Sequence, residues 1–233
     1  MLIKICGTTN EEDALLAVAM GADAIGFIFA PSPRQMAAHA VADIVKRLPR
    51  EVLTIGVFRD EAPARVVEVV NSTGLRGAQL HGHETPEQAR FVRERVPFLI
   101  QAFPAGDRSV ARAAEYGADV VMLDSASPGS GQVFDWALAE VPDGIPLMLA
   151  GGLNPDNVGE AIAKVHPWGV DVATGVESSP GRKDPRKLRA FVVAVREAQS
   201  RRPVEPAGNL LAGDGDDRAT SPGGSFPFDQ DDL

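Results

Sequence analysis

A handful of residues in this 233-residue chain have the types and surroundings that proton transfer or anion binding requires. Cys6, the single cysteine, follows Leu2-Ile3-Lys4-Ile5 and precedes Gly7. Lys4, two residues back, shares its face of an extended strand. A cation there would lower the ordinary thiol pKa of ~8.5 and make Cys6 a proton-abstracting base, although free cysteine also serves as a small buried apolar residue. Asp124 follows Val121-Met122-Leu123. It either caps its loop or supplies the acid/base partner of Cys6. Arg34, in Pro31-Ser32-Pro33-Arg34, offers a planar fork to a carboxylate, or else lies on the surface. Gly151-Gly152 and Ala173-Thr174-Gly175 are glycine turns whose backbone amides can approach an anion closely. A short helix starting near Val176-Glu177-Ser178 would aim its positive end at the same point. His81-Gly82-His83-Glu84 has only a loose likeness to metal-ligand spacing and no third histidine nearby, so no metal site is expected.

These residues gain meaning from the elements that carry them. Apolar, β-rich runs occur at Leu2–Cys6, Ala24–Phe29, Val52–Phe58, Gly77–Leu80, Phe98–Phe103, Asp119–Leu123, Pro146–Leu149 and Gly169–Val172. Helix signals lie between them. Thr9-Asn10-Glu11-Glu12 reads as a capping box leading into a stripe of Ala14, Leu15, Val18 and Ala19, with Gly21 as the stop. Thr85-Pro86-Glu87-Gln88, Asn154-Pro155 and Asp184-Pro185 are further cap-plus-proline starts. Helical spacing also fits Ala37–Arg47, Ala62–Ser72, Asp107–Tyr116 and Asp135–Glu140. Eight βα units imply a parallel sheet closed into a (β/α)8 TIM barrel. The alternative, an open doubly wound sheet, lacks the G-x-G-x-x-G turn after its first strand.

Such barrels work at the C-terminal ends of their strands. Cys6, Asp124, Gly151-Gly152 and Thr174-Gly175 all fall there. So do Arg34 and Arg59-Asp60, in the loops after strands 2 and 3. Gln79 and His81 flank the end of strand 4, and Gln101 lies near the end of strand 5. Loops after strands 7 and 8 commonly hold phosphate, which implies a small phosphorylated ligand.

Composition narrows the rest. One cysteine excludes a disulfide framework and a cysteine-based zinc site. A formal net charge of −9 argues against nucleic-acid binding. No apolar run approaches the ~20 residues of a membrane span. No signal-peptide pattern precedes the first strand, so a cytoplasmic location is expected. Residues 1–198 are expected to form one catalytic barrel domain, and 199–233 an acidic, disordered tail. The tail has five Gly and four Pro, seven acidic residues against three Arg, and only six Val, Leu or Phe. Phe226-Pro227-Phe228 within it is an alternative docking motif.

Lys4-Ile5-Cys6-Gly7, Gln79-Leu80-His81-Gly82, Leu123-Asp124, Gly129-Ser130-Gly131 before Phe134-Asp135-Trp136, Ala150-Gly151-Gly152-Leu153-Asn154-Pro155 and Asp171-Val172-Ala173-Thr174-Gly175-Val176-Glu177 occur in that order. Together they resemble the phosphoribosylanthranilate isomerases of tryptophan biosynthesis, over about residues 2–197. The resemblance implies a cofactor-free Amadori rearrangement of N-(5-phosphoribosyl)anthranilate, while a barrel of this size suits a monomer or a homodimer alike. It implies Asp124 as general acid and Cys6 as general base. It also implies Arg34 facing the anthranilate carboxylate, Gly152, Thr174 and Gly175 around the phosphate, and His81 lining the pocket. Pro128, Gln132, Gln35 and a short loop after Asp124 depart from the family pattern and bear on the contacts of loops 2 and 6. Competing readings are a sugar-phosphate epimerase, the histidine-pathway isomerase with aspartate in place of Cys6, and a non-catalytic scaffold that uses its acidic tail.

Overall fold

The computed structural model describes residues 1–125, 135–139 and 141–201. The strands are β1 (Leu2–Ile5), β2 (Ala24–Ile28), β3 (Leu53–Phe58), β4 (Gly77–Leu80), β5 (Leu99–Pro104), β6 (Val120–Asp124), β7 (Leu147–Leu149) and β8 (Gly169–Val172). All eight pair in parallel, each with the next in the chain, and β8 closes onto β1. The closed barrel matches expectation, with strand ends moved by a residue in six of the eight. The strands are buried on both faces, which is why they read as short continuous apolar runs rather than alternating ones.

Two apolar layers follow from the two faces. Leu2, Ala24, Leu53, Ile55, Ile100, Ala102, Met122 and Met148 belong to one cluster, filling the barrel interior. Ile3, Ile5, Ile25, Phe27, Leu99, Phe103, Val121, Leu123 and Val170 join the helices in a larger outer cluster. Period-2 alternation therefore carries Lys4, Gln79, Asp124 and Asp171 inward, and turns Gln101 outward with Leu99 and Phe103. Gln101 accordingly takes no part in the barrel mouth.

The helices are α1 (Glu11–Ala19), α2 (Ala38–Val45), α3 (Pro63–Thr73), α4 (Pro86–Arg93), α5 (Val158–Val165) and α6 (Pro185–Ser200). The expected capping box at Thr85 is present in full, with Gln88 returning to the Thr85 backbone N–H. Asp184 likewise caps α6, accepting from Arg186 and Lys187. At α1 the cap is Asn10 instead of Thr9, because the Thr9 hydroxyl donates to the Gly181 carbonyl at 2.5 Å. The buried stripe of α1 is Ala14 and Ala17, while Leu15 faces out. Asn154-Pro155 opens a turn, and α5 starts later, after Asn157.

Two connections are tighter than expected. Arg108–Tyr116 and Trp136–Leu138 form 3-10 helices in place of α-helices. After β8 the chain makes a 3-10 turn over Thr174–Val176. An antiparallel hairpin follows, β9 (Glu177–Ser179) with β10 (Arg182–Lys183), where a short helix from Val176 was expected. Gln199 and Ser200 belong to α6 and not to the tail, whose remainder from residue 202 lies outside the described residues. The same holds for Gly129-Ser130-Gly131, Pro128, Gln132 and Phe134. Among the described residues no helix is long and apolar enough to cross a membrane.

Candidate active site

A buried ion pair joins the first and last strands below the mouth of the barrel. β1 and β8 are neighbours with Lys4 opposite Asp171, and both side chains point inward. The fully buried Lys4 ammonium donates to Asp171 Oδ1 at 2.9 Å. Burial works against that charge, but Asp171 and Cys6 outweigh it and hold the Lys4 pKa above the usual lysine range.

Lys4 and Cys6 meet over Gly26 of β2. A Cβ on residue 26 would lie 2.9 Å from Cys6 Sγ and 3.1 Å from Lys4 Nζ, so only glycine leaves room for both. Cys6 is 6% exposed. Burial pushes its thiol pKa up, with Asp171 adding to the rise, against the pull of the Lys4 and Lys183 ammonium groups. The expectation of a lowered thiol pKa is thus corrected. The cation is where the strand spacing puts it, but desolvation is the stronger effect.

Asp124 ends β6 at the same mouth. Its Oδ1 accepts the Ser125 N–H at 2.6 Å, and its Oδ2 lies 3.3 Å from His81 Nε2. An open cleft connects it to the glycine loops, lined by Asp124, Gly151, Gly152, Asp171, Thr174 and Gly175. Gly151 and Gly152 adopt φ of +84° and +67°, a left-handed pair that glycine enters without a Cβ penalty. Gly175 packs directly on the other loop, where an added Cβ would fall 2.0 Å from the Leu153 carbonyl oxygen. Gly175→Ala therefore forces the two loops apart. It is expected to cost ~1–3 kcal/mol as overpacking and to weaken inhibition by inorganic phosphate, measured by thermal melting and steady-state kinetics.

Arg34 reaches the mouth from the loop after β2. Its Nε donates to Glu177 Oε1 at 2.8 Å and its Nη2 to Glu177 Oε2 at 2.6 Å, with Thr174 Oγ1 at 3.3 Å from Nη2. Burial alone would raise the Glu177 pKa, but the Arg34 and Lys183 contacts prevail and keep it below the usual carboxylate range. The buried Lys183 ammonium ties this cluster to Cys6, donating to the Cys6 carbonyl at 2.6 Å and to Glu177 Oε1 at 3.1 Å. The hairpin after β8 is therefore what positions Arg34.

Asp171, Glu177 and Lys183 are the residues that sequence reading left without a role. Asp171 had a readable signal, an inward charge in the closing strand opposite Lys4. His81 and His83 part ways. His83 lies on the surface, its backbone N–H donating to Asp60 Oδ1, while His81 turns to Asp124. Glu84 staples the two loops, accepting from Asp60 N and Gly82 N at 2.9 and 2.8 Å. His81 and His83 thus share no site.

A parallel eight-stranded barrel with a glycine-built cradle and ionisable groups at its C-terminal mouth defines the class of barrel enzymes that act on small phosphorylated molecules. A family model described as N-(5'phosphoribosyl)anthranilate (PRA) isomerase matches residues 3–194, so the chain belongs to this family. It is 50% identical over 205 residues to the N-(5'-phosphoribosyl)anthranilate isomerase of Desulforudis audaxviator, covering 84% of this chain and 98% of the relative. The crystal structure of phosphoribosyl anthranilate isomerase from Thermus thermophilus superposes with a TM-score of 0.80 at 41% identity, over 84% of this chain and 99% of that one. A further isomerase structure, in complex with reduced 1-(o-carboxyphenylamino)-1-deoxyribulose 5-phosphate, gives 0.75 at 38% identity over 84% and 100%.

Proposed function

We propose that the chain catalyses the Amadori rearrangement of N-(5-phosphoribosyl)anthranilate to 1-(2-carboxyphenylamino)-1-deoxyribulose 5-phosphate, in tryptophan biosynthesis. The observation that carries this reading is one mouth that joins an anion cradle to a carboxyl and a thiol. Asp124 lines the cleft of Gly152, Thr174 and Gly175, and Asp171 of that cleft holds the lysine beside Cys6.

In this reading the 5-phosphate sits on the backbone amides of Gly152, Thr174 and Gly175. Asp124 gives a proton to the furanose ring oxygen, and the C1′–O bond breaks as the anilino nitrogen lone pair forms the iminium. The Cys6 thiolate takes the C2′ proton, and the electron pair moves into the enolamine, which relaxes to the ketone. Glu177 and Thr174 engage Nε and Nη2 of Arg34, so its Nη1 side is the one offered to the anthranilate carboxylate. His81 enters this reading only as the neighbour of Asp124. Each step uses side chains alone, with no cofactor or metal. This reading gives the acidic stretch that follows α6 no part in the chemistry.

The test follows loss of the fluorescence of the anthranilate-linked substrate, made in situ. The full chain is expected to consume it at a rate proportional to enzyme, and a chain ending at Arg201 to match that rate. No consumption by the full chain overturns the reading. Loss of activity on truncation alone would give the tail a role instead.

A further inference from the structure

His81 occupies a position for which the chemistry above supplies no task beyond standing next to Asp124. Its ring is mostly buried, with Nε2 3.3 Å from Asp124 Oδ2. Its Nδ1 lies 2.9 Å from the side-chain amide nitrogen of Gln79, an inward residue of β4. An amide nitrogen only donates, so the Nδ1 it meets is the bare, accepting nitrogen of a neutral imidazole, and the ring proton resides on Nε2.

The Gln79 amide is itself held in that sense. Its Nε2 also donates to the Met122 sulfur at 3.3 Å. Its Oε1 is buried with no hydrogen-bond partner among the described residues. Turning the amide round would set the carbonyl against the thioether and strand two N–H donors in the barrel interior. One stranded acceptor is the smaller loss. The backbone is fixed as well. His81 N–H donates to the Phe58 carbonyl at 2.9 Å, and the next residue, Gly82, donates to the buried Glu84 carboxylate.

We propose that Gln79 and His81 are positioning residues for Asp124, Gln79 locking His81 as the neutral tautomer whose protonated Nε2 stands 3.3 Å from Oδ2. With the Ser125 N–H bonded to Oδ1, each carboxyl oxygen then has an N–H group beside it. The carboxyl plane is set relative to the cleft, and the carboxylate left after proton transfer is met by donors already in place. This rests on the assignment of Asp124 as the acid, and its test separates the two.

The tautomer is read directly by nitrogen-15 NMR of the full-length protein, with His81 assigned by comparison with His81→Leu. The bare-nitrogen signature is expected at Nδ1 and the protonated one at Nε2. Gln79→Glu puts an acceptor against the ring and is expected to move a proton onto Nδ1. A wild-type ring protonated at Nδ1 overturns the proposal whether or not the protein turns over substrate. In kinetics, His81→Leu is expected to lower kcat by at least ~10-fold with a smaller change in KM, the rate equivalent of one lost hydrogen bond to a charged group. His81→Gln, which can return an N–H to the Nε2 position, is expected to recover most of that loss. Equal kcat in wild type and His81→Leu overturns the positioning role while leaving the Asp124 assignment standing. Loss of the Asp124→Asn effect with the tautomer as expected would overturn the acid assignment alone.

Discussion

Asp124→Asn is expected to lower kcat by at least ~10²-fold, the ordinary contribution of a placed general acid. The amide matches the carboxyl in size, so the barrel keeps its packing. It has no proton to deliver to the ring oxygen. A second consequence comes from its neighbours. Ser125 N–H and the His81 ring both meet the residue, at Oδ1 and Oδ2. An asparagine must turn its NH2 group toward one of them, donor against donor, and the side-chain imidazole gives way before the backbone N–H. The phosphate cradle is built from other loops, so inhibition by inorganic phosphate is expected to survive the substitution. Substrate turnover near the wild-type rate would take Asp124 out of the mechanism, and loss of phosphate inhibition would mean that the substitution had damaged the mouth as a whole.

The parts of the molecule legible in sequence were those determined by neighbours along the chain. Strands buried on both faces leave uninterrupted apolar runs, so the eight were readable to within a residue in most cases. Thr85-Pro86-Glu87-Gln88 closes on itself within four residues and formed as written. Features determined by distant partners were not readable. Thr9 looks like a better cap than Asn10 until Gly181 takes its hydroxyl, a contact 172 residues away. Arg34 looks available until Glu177, 143 residues on, occupies its fork. Pro180-Gly181 did carry a turn signal, and with it the hairpin that replaces the expected helix after β8. Cys6 shows the same division in chemical terms. The spacing that puts Lys4 beside it is local and was visible. The burial that decides the direction of its pKa is a property of the closed barrel.

That direction shapes the last expected result. Cys6→Ala should lower kcat by at least ~10²-fold through loss of the base, with the melting temperature changed far less. The pH dependence is the sharper test. A base acts only when deprotonated, and the Cys6 thiol is held above its ordinary range by burial. In wild type, kcat/KM should therefore still be rising with pH through and above neutrality, its limb reporting the free enzyme's thiol. In Cys6→Ala that limb should vanish, leaving a low rate without the thiol's titration. That elevation is tempered by Lys4, whose ammonium favours the thiolate, and increased by Asp171, which disfavours the thiolate while keeping Lys4 charged. Removing Lys4 alone would leave Asp171 a buried unpaired carboxylate and endanger the fold. The paired change Lys4→Met with Asp171→Asn avoids this. Since the lysine's effect on the thiol is the larger of the two, the double variant should move the rising limb to still higher pH. A limb unmoved in the double variant, or unchanged in Cys6→Ala, would show that the titrating base is another group and that the thiol is packing.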